Sequence, residues 1–415
     1  MLNLQNRKGG AYIIVLIFDI ISKLLMAVAT IVIVRLLSID EYAIYTKFHS
    51  ISVLSTTIIG TGLALAYVRF AAEKVSRGQD NSFGLFKLCS LLVCLATIIS
   101  FIAIPIINKS FNTTFFISII SLIYGGVLAL NKMNQSYFQV DERFSTSGII
   151  TNIKNITLCL GVAVLPIFFS NITATQTIYA TIISAIIAYL IGYIYISKNS
   201  TTQTFSSDKS LLRALFKESW WLIIYSLLVC LFDQGCVIIM SHIASIEDIA
   251  IYGVASKYYA LMLTFLSSLM TVLRIRTSNQ SMVDSKDNRK AFVLNWIKRV
   301  WWIAGAVCLC TILVSRPVLT LLNGNEYIDA VPVFNILVVG VFIGYIFAPN
   351  VAVMMSAKRY KELCALALIS FIINCVICVT LIPKCGAIGA AVAVVISNAF
   401  LNIVSTLIIY YDKKD

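Results

Sequence analysis

Charge is scarce in this chain. Asp, Glu, Lys and Arg make up 12% of its 415 residues, and there are only two histidines. The longest polar gaps, about 197–218 and about 273–295, are too short to fold alone, which excludes an appended soluble domain. The cysteines do not compose a metal or redox set. Almost all eleven lie inside apolar runs, and Cys308-x-Cys310 and Cys375-x-x-Cys378 have no His or acid nearby, so they read as small hydrophobes. No metal and no cofactor are implied. A cleaved leader is also excluded as an expectation. Arg7-Lys8 resembles its charged start, but the apolar run that follows is too long and lacks a small-residue exit, so it stays as the first helix.

What the chain has is apolar length. It is 59% hydrophobic with mean hydropathy +0.91, more apolar surface than a soluble domain of this size can bury. Runs long enough to cross a bilayer centre near residues 22, 57, 96, 125, 159, 187, 230, 262, 307, 342, 373 and 399. The expected fold is therefore an all-α integral membrane protein of about twelve helices. Basic residues set its orientation. With the amino terminus inside, 24 of the 32 Lys and Arg, Lys132 among them, fall in cytoplasmic segments and only Arg35, Lys47, Lys109, Arg316 and Lys384 in outer ones. Both termini are then cytoplasmic, in a multi-pass membrane protein. The net charge of +13 is topology and attraction to anionic lipid, with no need of nucleic acid. Trp220-Trp221 and Trp301-Trp302 follow Lys217 and Arg299 as an interfacial belt does.

The chain also repeats itself. Ser38-Ile39-Asp40-Glu41-Tyr42-Ala43-Ile44-Tyr45 returns after 207 residues as Ser245-Ile246-Glu247-Asp248-Ile249-Ala250-Ile251-Tyr252, with five of eight positions identical and two acids exchanged. Arg143 to Pro166 and Arg359 to Pro383 match at a similar offset. The offset is half the chain, which predicts two six-helix lobes, 1–207 and 208–415, lying the same way up. Asp40-Glu41 and Glu247-Asp248 read as first turns of helices, where acids favour the dipole. Gly340-x-x-x-Gly344 and the run Gly386 to Ala391 read as small-residue seams, and Pro349 as a kink.

Ionisable residues left inside the spans cost about 2.5–3.5 kcal/mol each at a helix centre, so each needs a partner or a wet cavity. Asp19 and Lys23 share a face of the first helix, Lys154 and Asn155 lie in the fifth with Asn152, and Asn131 and Gln135 share a face of the fourth with Asn134. Asp233 lies near mid-depth in the seventh helix and Lys257 in the eighth. Lys23, Lys154, Lys257, Asn131, Gln135 and Asn155 are the candidate substrate-binding residues, with the three lysines expected in one cavity. Asp19 and Asp233 are the candidate ion-coupling acids. Two structural alternatives stand beside these roles, an Asp19–Lys23 pair and an Asp233–Lys257 pair. Lys47 is expected to snorkel to the outer interface.

Twelve helices, a duplication and a polar lining describe a secondary transporter. The loop Ala72-Glu73-Lys74-Val75-Ser76-Arg77-Gly78-Gln79-Asp80 does not fit the major facilitator pattern. The segment Arg35-Leu36-Leu37-Ser38-Ile39-Asp40-Glu41-Tyr42-Ala43-Ile44-Tyr45 resembles instead the RxLxxxEYGxY turn of the Wzx-type polysaccharide flippases, a branch of the multidrug/oligosaccharidyl-lipid/polysaccharide exporter superfamily, with Ala43 in the glycine's place. Pro383-Lys384-Cys385-Gly386-Ala387-Ile388-Gly389-Ala390-Ala391 resembles that family's PxxGxxGAA segment. The resemblance implies alternating-access transfer of an undecaprenyl-pyrophosphate-linked oligosaccharide, such as an O-antigen repeat unit, from inner to outer leaflet, with a glycan polymerase and a chain-length regulator as partners. The competing readings are a multidrug antiporter of the same superfamily, a non-transporting scaffold and a glycan-assembly enzyme. The lysine excess disfavours the first, and the short outer loops without a paired-acid cluster disfavour the last.

Overall fold

A computed structural model describes residues 2–76, 82–141, 143–199, 209–277, 286–357 and 359–411, and among them the chain is helical with no strand. Residues 200–208 and 278–285 of the two long polar gaps lie outside the described set. The helices follow the apolar runs: α1 (Leu2–Leu36), α2 (39–76), α3 (Ser82–Phe111), α4 (Phe115–Val140), α5 (Phe144–Phe168), α6 (Ala174–Asn199), α7 (Lys209–Ile243), α8 (Ile246–Thr277), α9 (Lys286–Asn323), α10 (330–356), α11 (360–385) and α12 (387–410). Among the described residues eight helices are long and apolar enough to cross a membrane, nine when the bent α10 is counted, with α11 and α12, joined across a kink at Gly386, counted together. The fold is that of an all-α integral membrane protein of twelve helices.

Two compact units divide at Leu227–Leu228, inside α7. In the first, α1 packs along α5, α2 and α3 along α4, and α6 against α4 and α5. Its densest core stacks Phe83, Phe86, Tyr137 and Phe138, with Phe86 and Tyr137 rings 5.2 Å apart edge to face. Apolar burial gives no driving force against lipid tails, so such shape fit and interhelical hydrogen bonds hold the helices together. Outward residues of α3 (Leu91, Leu95, Ile98, Ile99, Ile102) stay exposed, the surface a bilayer covers. Trp220, Trp301 and Trp302 are exposed as well. In the second unit α10 packs on α8, α9 and the kinked α11–α12 pair. α10 bends by 46° just before Pro349, whose ring cannot accept the helical continuation without losing a backbone donor.

The repeated acidic motif explains itself in the structure. Ser38 Oγ caps the start of α2 by accepting from Glu41 N at 3.4 Å, and Ser245 Oγ does the same for Asp248 N at 3.0 Å. Glu41 then reaches across to accept from Ala174 N at the start of α6. Asp248 Oδ1 accepts from Ala387 N, 3.0 Å away at the start of α12. In both units a serine therefore caps the helix that carries the motif, while a first-turn carboxylate of that helix accepts from the N-terminus of a later one, where unpaired N–H groups and the dipole favour an anion. Lys47 donates to Asn112 O, the left-handed cap of α3, at 3.3 Å. A cation at a helix C-terminus is the complementary arrangement.

Candidate functional site

The first unit encloses a cavity of about 310 Å³ between α1, α2, α4 and α5. Its lining is built by periodicity. On α5, Asn152, Asn155 and Cys159 face α1: their side chains donate to Phe18 O (3.4 Å), to Ser22 O and Oγ (2.8 Å each) and to Leu25 O (3.2 Å). The adjacent stripe, Ile150, Thr151 and Lys154, is left to the cavity. On α4 the Asn131 amide donates to Ala185 O at 2.9 Å and the Asn134 amide to Tyr189 O at 3.1 Å, tying α4 to α6, while Lys132 and Gln135 turn inward. Gln135 Nε2 donates to Thr151 Oγ1 at 2.9 Å, which joins α4 and α5 at the wall. α1 contributes Lys23 and α2 contributes Thr56 and Thr57.

Three ammonium groups thus share one chamber, and Lys154 lies within the field of both Lys23 and Lys132. All three are half-buried. Among the described residues no carboxylate pairs with Lys23 or Lys154, and ion pairs such as Arg143–Asp141 and Arg359–Glu362 lie elsewhere. Like charges held close raise the energy of the empty site, and an anion lowers it. Hydroxyls and amides around them supply directional partners for phosphate or sugar oxygens. The described lining of three lysines, hydroxyls and amides is of a composition suited to an anion.

Of the sequence candidates, Lys23, Lys154, Asn131 and Gln135 come together here. Asn131 lines the cavity with its amide nitrogen committed to α6. Asn155 stands outside the lining, its amide tied to Ser22. Lys257 belongs to the second unit and is not among the residues of this lining, whose third lysine is Lys132. Position 132 reads from sequence as inner-loop charge because it follows the last strictly apolar stretch of α4. The helix in fact continues to Val140, which places Lys132 well inside it. Spacing was the available signal, since 131, 132 and 135 bracket the polar face of one helix. The Asp19 side chain lies outside the described residues. Asp233 is exposed on α7, and no ion pair joins it to Lys257, so the structural pair is not formed. It lies instead within electrostatic reach of Cys236 and Tyr259. Cys236 Sγ is 3.4 Å from Cys378 Sγ, a contact between α7 and α11 that the sequence gives no sign of.

Known proteins agree with this architecture. A multidrug resistance MATE transporter of the MOP superfamily in an inward-facing conformation superposes with TM-score 0.78 at 12% identity, covering 97% of this chain and 98% of its own. The lipid II flippase MurJ in an inward closed conformation superposes with TM-score 0.75 at 17% identity, covering 97% and 88%. A MOP transporter from Pyrococcus furiosus, for which a reversed polarity of the binding pocket suggests a different function, superposes with TM-score 0.68 at 15% identity, covering 98% and 97%. At these identities the likeness is one of fold. Among curated proteins none matches the sequence. The family model described as polysaccharide biosynthesis protein matches residues 8–274, well over half the chain, and the chain belongs to that family.

Proposed function

We propose that this protein is a flippase that moves an undecaprenyl-pyrophosphate-linked oligosaccharide from the inner to the outer leaflet of a bacterial cytoplasmic membrane. The observation that carries the reading is the chamber of Lys23, Lys132 and Lys154, with no carboxylate partner for the first and last among the described residues and set among hydroxyls and amides. A diphosphate joined to sugars cannot cross hydrocarbon unaided. Lysines suit it, because a compact point charge on a flexible stem binds phosphate and releases it without the bidentate grip of arginine. Family membership and the flippase fold of MurJ support the same conclusion. The multidrug alternative needs a site for organic cations, which the basic chamber opposes, and the Pyrococcus relative is a precedent for a pocket of changed polarity on this fold.

Purified protein in liposomes with a fluorescent undecaprenyl-pyrophosphate oligosaccharide tests it. Protein-dependent exposure of the labelled sugar to an added quencher is expected, with no uptake of tetraphenylphosphonium; the opposite pattern would sink the reading. In the same assay an imposed proton or sodium gradient is expected to accelerate transfer by wild type. Asp233→Asn should remove the response if Asp233 carries the coupling ion, and an unchanged response removes that assignment. The orientation, with both termini cytoplasmic, rests on the distribution of basic residues. Reporter fusions after Lys109, Asn171 and Asn325 are expected to read outside, and two inside signals would overturn it.

A further inference from the structure

One turn of α2 is not α-helical. Thr57–Thr61 form a π-turn between the α-helical segments Ile39–Thr56 and Gly62–Ser76, at the wall of the cavity. Wider turns of this kind are rare and appear where a helix must aim a particular side chain. The packing holds the turn in place. Thr56 Oγ1 donates to Ser52 O at 2.7 Å and to Gly125 O of α4 at 3.2 Å, and a Cβ on Gly60 would sit 2.4 Å from Ala129 Cβ, also on α4. The result is that Thr61 meets α4 at Lys132, whose Nζ donates to Thr61 Oγ1 at 2.8 Å. Thr61 Oγ1 donates in turn to Thr56 O at 3.4 Å, five residues back, so its single proton is directed away from the lysine and its lone pair toward it.

We propose that Thr61, presented by the π-turn of α2, is a positioning residue that holds the Lys132 ammonium at the cavity wall to meet a diphosphate together with Lys23 and Lys154. This rests on the anion-binding reading of the same chamber. An ammonium has three donors, so one can be anchored while others serve a ligand. An anchored lysine does not lose its rotamer freedom afresh when the anion arrives, and preorganisation of that kind raises affinity without adding a contact.

The test is calorimetric binding of inorganic pyrophosphate, with inorganic phosphate for comparison, to the full chain in phosphatidylcholine nanodiscs. Wild type is expected to bind pyrophosphate more tightly than phosphate, and Lys154→Gln to weaken both. Thr61→Val should weaken pyrophosphate about three- to tenfold, in the range of one lost hydrogen bond. Thr61→Ser, which keeps the acceptor, should stay within about twofold. On a Lys132→Gln background Thr61→Val should change little, because the hydroxyl acts through that lysine. Equal losses from Thr61→Val with and without Lys132, or an equal loss from Thr61→Ser, would show a packing role and overturn the proposal while leaving the chamber's anion preference intact. Wild type that ignores pyrophosphate, or Lys154→Gln that binds as wild type does, overturns both readings. Repeating the titration with phosphatidylglycerol in the disc separates sources: unchanged affinity supports a diphosphate head, and full competition assigns the site to bilayer head groups.

Discussion

Lys154→Glu is expected to abolish surface glycan while the protein accumulates at a normal level. The variant keeps a charged side chain of similar reach in the same half-buried place and reverses what a phosphate meets. At an effective dielectric of about 20, two unit charges 4 Å apart interact by about 4 kcal/mol. Turning one such attraction into a repulsion therefore removes several factors of ten in affinity, since about 1.4 kcal/mol is one factor of ten. Lys154→Gln should be milder and Lys154→Arg milder still. The companion expectation concerns stability and has the opposite sign. Lys154 feels both Lys23 and Lys132, so neutralising it relieves repulsion, and the melting midpoint of Lys154→Gln should equal or exceed that of wild type. A structural lysine would behave otherwise, losing stability and function together. Full glycan display by Lys154→Glu, followed by immunoblot of the surface polymer, would leave the anion site without support.

Gly386→Val is expected to prevent accumulation of the folded protein. Gly386 adopts φ +54° with ψ −131° at the break between α11 and α12, a combination that L-residues with a Cβ rarely enter. Space is also lacking: a Cβ there would lie 2.2 Å from Asp248 Oδ1, the atom that accepts from Ala387 N. The substitution thus strains the backbone and expels the cap of α12 at once, and about 3 kcal/mol or more is the scale of such combined faults. Gly324 provides the control. It has φ +94° and ψ 170° with nothing within 4 Å of an added Cβ, so Gly324→Ala carries only the backbone cost, about 1–3 kcal/mol. Gly386→Ala combined with Asp248→Ala should recover part of the loss by opening the space. If Gly386→Val and Gly324→Ala melt alike in detergent, the close approach of Asp248 contributes nothing.

The repeat at 38–45 and 245–252 carried more information than a duplication. Its acids were legible as first-turn residues, because a serine followed by two acids ahead of an apolar run is a helix-start pattern. That Glu41 and Asp248 also cap α6 and α12 was not legible. Ala174 and Ala387 are more than 130 residues away in sequence, and an alanine amide has no chemical signature. The same limit governed the chamber. Lys23 and Lys154 stood out because charge inside an apolar run is costly, whereas Lys132 looked excusable at a run's end until the full length of α4 was known. Asn131 and Asn155 showed the reverse error of emphasis, since an amide inside a span serves equally to bind a ligand or to tie two helices, and only the neighbour decides.

The sequence by itself determined what depends on local composition: a membrane protein of twelve helices, duplicated, its basic residues gathered in alternate loops and a few cations left in the spans. Those properties follow from the length of apolar runs and the cost of charge in hydrocarbon, which act residue by residue. The tertiary structure alone decided which cations share a chamber, which asparagines are tied to backbone, that Asp233 and Lys257 do not pair, and that α2 carries a π-turn at Thr57–Thr61. Each of those depends on the angular phase of one helix against another. A helix advances by 3.6 residues per turn, so a phase error of a single residue, invisible in a hydropathy profile, turns a side chain by about 100° from cavity to lipid.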